Sequence, residues 1–196
     1  MKRIALMRHG EGDHNVERFF SGNPNHPNYR VAHLTNEGRQ QVKDSAKKMS
    51  SEIKKMNLKE MMIFVSPLPR TRQTAEILQE NIFDCCPGLK IEEKVVDSLI
   101  EVDMGDFEGK NIEEFSYHPW NLDHYQKYGG EGVEDLLKRG RKFVDEINQL
   151  KNLPDFFVAV SHGSPLRYLA QVLGVKEDIK LDTAGFYLTN FDISSK

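Results

Sequence analysis

Three short stretches carry residue types that could do chemistry together. Arg8-His9-Gly10-Glu11 follows the apolar run 4–7, Ser66-Pro67-Leu68-Pro69-Arg70 follows the run 61–65, and Ser161-His162-Gly163-Ser164-Pro165 follows the run 156–160. Two imidazoles and two guanidiniums brought to one place describe a receptor for a phosphate-sized dianion, because a guanidinium offers planar, two-pronged contact to such oxygens. Convergence requires the three runs to lie side by side. Open α/β sheets bind ligands outside the carboxyl ends of their strands, which is where all three polar stretches fall.

The elements that must position these residues are readable from periodicity. Each apolar run is too short for a helix and lacks strict alternation, as expected of strands buried on both faces of a parallel sheet. Between them, Val42, Ala46, Met49, Ile53 and Met56 recur at helical spacing. Leu136, Gly140, Phe143, Ile147 and Leu150 do the same, and Leu166, Leu169, Ala170 and Leu173 give a shorter version. The lysines between Lys43 and Lys59 then form the solvated face of the first of these helices. Strands alternating with helices predict a three-layer α/β/α sandwich with a mainly parallel central sheet. The alternation of Phe186, Leu188 and Asn190 against Tyr187, Thr189 and Phe191 predicts one more strand near the end.

Composition bounds the rest. The 196 residues, 38% apolar and 29% charged, suit one domain over residues 1–196. With 27 basic against 30 acidic residues, the chain has no electrostatic footprint for nucleic acid or anionic lipid. No apolar stretch approaches the roughly 20 residues of a membrane span, and the start of the chain does not read as a signal peptide. Cys85 and Cys86 are adjacent and cannot close a stabilising loop. The expectation is a reduced, cytoplasmic protein with no nucleic-acid or membrane partner. Self-association into a homodimer is left open.

The ordered motifs resemble those of the histidine phosphatase superfamily, the phosphoglycerate mutase-like proteins. They are Leu6-Met7-Arg8-His9-Gly10-Glu11 with Asn15, and Ser66-Pro67-Leu68-Pro69-Arg70-Thr71-Arg72-Gln73-Thr74-Ala75. Leu99-Ile100-Glu101 follows with Gly105-Asp106-Phe107-Glu108-Gly109, then Gly130-Glu131 with Arg139, and Val160-Ser161-His162-Gly163. Leu34-Thr35, Gly38 and Gln41 fit the segment before the first long helix. The blocks come in family order across nearly the whole chain. Departures are Gly12 for the usual Ser or Thr, His14 for the usual Trp, Gly132 for a common Ser, and a few extra residues in 23–30.

The resemblance implies a metal-independent phosphatase that hydrolyses small phosphomonoesters, with no cofactor. His9 would be the nucleophile and would form a phosphohistidine. Arg8, Arg70, His162, Asn15 and the backbone at Gly163 would hold the phosphoryl oxygens. Glu101, placed in the matching acid-bearing loop, would protonate the leaving oxygen and later activate water. Arg72 is expected to be a partly solvated neighbour or an ion-pair residue. His14 lies close enough to shape the pocket or merely to fill space. Asp13, His14 and His26 match no metal-ligand spacing. Residues 111–132, with Tyr117, Trp120 and Tyr125, could be a lid that recognises the organic part of a small phosphorylated metabolite, or a packed insertion. Two rivals remain: phosphoglycerate mutase-type phosphoryl transfer, whose proteins usually carry longer insertions, and a non-catalytic phospho-ligand binding module, which would not need an acid at position 101.

Overall fold

The computed structural model describes residues 2–114 and 122–191. Its centre is a five-stranded sheet in the order β3-β2-β4-β1-β5. These strands are β1 (Lys2–Arg8), β2 (Glu60–Val65), β3 (Lys90–Val95), β4 (Phe156–Ser161) and β5 (Phe186–Phe191). The first four run parallel, and β5 pairs antiparallel with β1. The three apolar runs are the three inner strands. Ile4, Ala5, Leu6 and Met7 are buried throughout, as is every residue of β4.

Alternate residues on each strand serve opposite layers, as the pleat requires. Ala5, Met7, Ile63, Val65, Val158 and Val160 pack against α2 (Asn36–Met56) and α3 (Pro69–Cys85). Ile4, Leu6, Phe64, Phe157 and Ala159 pack against α5 (Val133–Asn148) and α6 (Gly163–Val172). There Phe64 meets Phe143 and Phe157 edge-on at 5.4 and 5.8 Å between ring centroids. The architecture is the three-layer sandwich that the alternation of elements predicts.

β3 is the strand that the sequence pattern does not announce. Its Lys-Ile-Glu-Glu-Lys-Val is mostly exposed, because it is the sheet edge and only Ile91 reaches the core. Charged side chains on an edge discourage further strand pairing, which removes the hydrophobic signature of the inner strands.

The site follows from this topology. Register aligns Arg8 with Ser161, and Met7 and Val65 with Val160. The chain leaves β1 through α1 (Asp13–Glu17) and α2 on one face, and leaves β4 through α6 on the other. The connections diverge between neighbouring strands β1 and β4, which opens a crevice at their carboxyl ends. A third apolar cluster of Phe20, Val102, Phe107, Leu122, Tyr125, Leu136 and Tyr168 supports the loops beside that crevice. No helix among the described residues is long and apolar enough to cross a membrane.

Candidate active site

His9 and His162 each follow the last residue of a neighbouring strand, and their ring centroids are 5.1 Å apart. The backbone N–H of His9 donates to Ser161 O at 3.0 Å, so the strand pairing itself sets this approach. His9 Nδ1 lies 2.7 Å from Gly10 O. A carbonyl can only accept, so Nδ1 carries the proton and the lone pair is on Nε2. That nitrogen is the one that Arg70 Nε faces at 3.4 Å.

Arg70 lies in the first turn of α3, behind Pro69 at the opening helical position, and is wholly buried. Its Nη2 donates to Ser21 O at 2.8 Å and lies 3.9 Å from Glu101 Oε2. Arg8 Nη1 donates to Leu181 O at 2.9 Å, and its buried Nε has no partner among the described residues. Gly163 opens α6, whose first-turn N–H groups lack helical acceptors. A Cβ at Gly163 would stand 3.8 Å from Arg8 Nε, so this helix start and Arg8 face the same space. Asn15 Oδ1 accepts the Gly12 N–H at 3.0 Å, which leaves the side-chain NH2 as the donor end of that amide.

Glu101 brings its Oε2 to 3.6 Å from His162 Nδ1, while Oε1 accepts the Val102 N–H at 2.9 Å. The loop that carries it is held by Arg139 of α5, whose Nη1 donates to Ile100 O at 2.6 Å and whose guanidinium pairs with Glu131 at 2.8 Å. Glu131 Oε2 accepts the Asp103 N–H at 3.0 Å. The loop backbone thus positions Glu101, and its Oε2 is turned towards His162 and Arg70.

Burial and charge set the protonation states. His9 and His162 are pushed well below the usual imidazole range, first by burial and then by the neighbouring Arg70. Both rings are therefore neutral near pH 7. Burial pushes Glu101 up, against the pull of Arg70, the Val102 N–H and Arg8. The outcome is a neutral imidazole with an unprotonated nitrogen, fixed cations and a carboxyl group that holds its proton more readily than usual. Donor atoms of His9, Glu101 and His162 lie within 4.8 Å of one another, a spacing that would also suit a metal ion. With two guanidiniums facing the same space, the charge balance favours an anion.

Several further members of this arrangement stand inside the motifs quoted above, where the sequence assigns them no role of their own. Ser66 Oγ lies 2.8 Å from His162 Nε2, and Thr74 Oγ1 accepts the Gly10 N–H at 3.2 Å. Glu108, in sequence another loop glutamate, is wholly buried and accepts from the N–H groups of Gly22, Asn23 and Met104. It ties the segment that meets Arg70 to the loop that carries Glu101. Arg72 turns outward to Glu93 at 2.6 Å. His14 is buried against Phe19, with its ring 5.3 Å from that of His9. Tyr117 and Trp120 lie outside the described residues. Tyr125 is 1% exposed and packs edge-on against Phe20 and Phe107 in the third apolar cluster. A Cβ on Gly22 would fall 1.8 Å from Val102 O, next to the acid. Gly22→Ala is expected to lower stability by about 1–3 kcal/mol, as overpacking does. Thermal unfolding checks this, and an unchanged midpoint would show that the segment moves freely.

The family model of the histidine phosphatase superfamily (branch 1) matches residues 4–192. The chain belongs to the histidine phosphatase superfamily. Among its curated relatives, the 6-phosphofructo-2-kinase/fructose-2,6-bisphosphatase 4 of Homo sapiens is 27% identical over 176 residues, covering 86% of this chain and 32% of that protein. The chain thus spans about a third of the length of the first of its curated relatives. The 2,3-bisphosphoglycerate-dependent phosphoglycerate mutase of Azorhizobium caulinodans is 26% identical over 180 residues, covering 87% of this chain and 80% of the mutase. The solved structure of Bacillus stearothermophilus YhfR superposes with a TM-score of 0.73 at 23% identity, covering 98% of this chain and 92% of that one. That superposition is a likeness of fold.

Proposed function

We propose that the protein is a metal-independent phosphatase that hydrolyses small phosphomonoesters through a phosphohistidine on His9. The observation that carries this reading is the Nδ1–H of His9 donating to Gly10 O, which leaves Nε2 as an unprotonated nucleophile facing Arg70. Nε2 attacks phosphorus and the bond to the leaving oxygen breaks in line, that oxygen taking the proton of Glu101. Glu101, now a carboxylate, removes a proton from water, which attacks phosphorus. The P–N bond breaks, its electron pair returns to Nε2, and inorganic phosphate departs. Arg8, Arg70, His162, the Asn15 amide and the Gly163 N–H hold the phosphoryl oxygens throughout, supplying the fixed positive charge that a metal ion supplies elsewhere.

The same machinery would serve a mutase if a substrate hydroxyl replaced water, and the phosphoglycerate mutase among the relatives favours that second reading. Hydrolysis is kept as the first reading, and the products of the reaction separate the two. A non-catalytic binding module would not need His9 and Glu101 together. The substrate is read as a small phosphorylated metabolite, and the two free cysteines suit a cytoplasmic setting.

A panel of phosphomonoesters assayed after thorough chelation, with free and transferred phosphate measured separately, tests the reading. Turnover is expected to survive chelation, to release inorganic phosphate and to be inhibited by vanadate. Loss of activity on chelation, restored by one divalent ion, would overturn the metal-free mechanism. Transfer without release would make the protein a mutase.

A further inference from the structure

We propose that Ser66 is a positioning residue that fixes the tautomer of His162, with the proton on Nδ1 aimed at the phosphoryl oxygens. This deepens the phosphatase reading and rests on it for its catalytic consequence, although not for the tautomer itself. His162 is wholly buried, and its two ring nitrogens have different surroundings. Nε2 lies 2.8 Å from Ser66 Oγ. Nδ1 is buried with no hydrogen-bond partner among the described residues, and lies 3.6 Å from Glu101 Oε2.

The direction of the Ser66 bond follows from what else the hydroxyl meets. Its oxygen takes the Leu68 N–H at 3.5 Å, and no other acceptor for its own proton is found among the described residues. Ser66 is also wholly buried. The hydroxyl proton therefore goes to His162 Nε2, which must be the bare nitrogen of a neutral ring. Nδ1 then bears the hydrogen and is the nitrogen turned towards the site.

Charge argues for the same state. The groups that act on the ring are His9 after β1, His14 on α1, Arg70 on α3 and Arg139 on α5, with Glu101 on the acid loop beside Nδ1. Two are guanidiniums, Arg70 and Arg139, and they oppose a second proton on His162. The outcome is complementary to His9. There a carbonyl takes the Nδ1 proton so that Nε2 can attack, and at His162 a hydroxyl occupies Nε2 so that Nδ1–H can donate. A donor preset in this way stabilises developing charge without reorganising. Ser66 reaches no substrate atom in this scheme, and its effect passes through His162.

Nitrogen-15 NMR of the imidazoles in the full chain decides this, with His162→Gln supplying the assignment. Wild type is expected to show His162 neutral from pH 6 to 8, with a protonated Nδ1 and a bare Nε2. In Ser66→Ala the Nε2 pattern should shift towards the protonated form. With a nitrophenyl phosphate, kcat/KM should fall about tenfold to a hundredfold. Ser66→Thr, which keeps the hydroxyl, should restore both. A wild-type ring that is cationic, or protonated on Nε2, would overturn the proposal. So would a Ser66→Ala variant with the wild-type tautomer or with kcat/KM within twofold of wild type. If the wild type cleaves no phosphomonoester but the NMR result holds, the phosphatase reading fails and the tautomer assignment stands.

Discussion

His9→Ala is expected to remove turnover, by on the order of 10⁴- to 10⁶-fold, as loss of a covalent nucleophile does. The fold should survive, because His9 lies beyond the last residue of β1 and, among the described residues, its side chain hydrogen-bonds only with Gly10 O and Arg70 Nε. Its backbone bonds to Ser161 O and from Ala184 N–H do not involve the ring. Substrate labelled in the phosphoryl group and quenched in alkali should leave acid-labile phosphate on the wild-type protein and none on the variant. Circular dichroism of the variant should match wild type. Near-normal turnover by His9→Ala would remove the nucleophile assignment, whatever the variant's stability.

The second large effect separates the acid from the nucleophile. Glu101→Gln keeps the size and hydrogen-bonding capacity of the side chain but cannot deliver a proton. General acid catalysis contributes typically 10²–10⁴-fold, so alkyl phosphates, which depart as poor leaving groups, should lose activity by about that factor. A nitrophenyl ester leaves as a stabilised phenolate and should suffer much less in the phosphorylation step. Water activation needs the same carboxylate, so the variant should accumulate phosphoenzyme and give a burst of nitrophenol followed by a slow steady state. The pH dependence has a definite sign. Burial raises the pKa of Glu101, and the acid must be protonated to act. Wild-type turnover of alkyl phosphates should therefore fall as pH rises through that raised value, and the nitrophenyl ester should lack this limb. Equal damage to both esters would mean that Glu101 orients the substrate and does not protonate it.

Much of this site is determined by short stretches of sequence, for a physical reason. A strand buried on both faces must be a continuous apolar run, and its end is where the polar residues begin. The runs 4–7, 61–65 and 156–160 therefore mark both the inner strands and the places where Arg8, His9, Arg70 and His162 emerge. Helical spacing did the same for α2, α5 and α6. Strand β3 escaped because edge strands carry charge in place of apolar residues, and the packing of Tyr125 escaped because an aromatic ring in a loop segment reads alike whether it faces ligand or core.

The tertiary structure decided what these groups do. Arg70 is held by the carbonyl of Ser21, 49 residues away, and a backbone carbonyl has no residue type that a sequence could reveal. Ser66 and His162 are 96 residues apart, and Glu108 meets Gly22 across 86. Such pairings depend on the paths of loops, which local periodicity does not encode. The protonation states depend on them in turn, because the pKa of a histidine or glutamate follows from burial and from the charges within a few ångströms. Residue identity placed two histidines at the carboxyl ends of inner strands and a carboxylate on a loop. Only the packing around them left one imidazole unprotonated on Nε2, gave the other its partner hydroxyl, and raised the pKa of the carboxyl group.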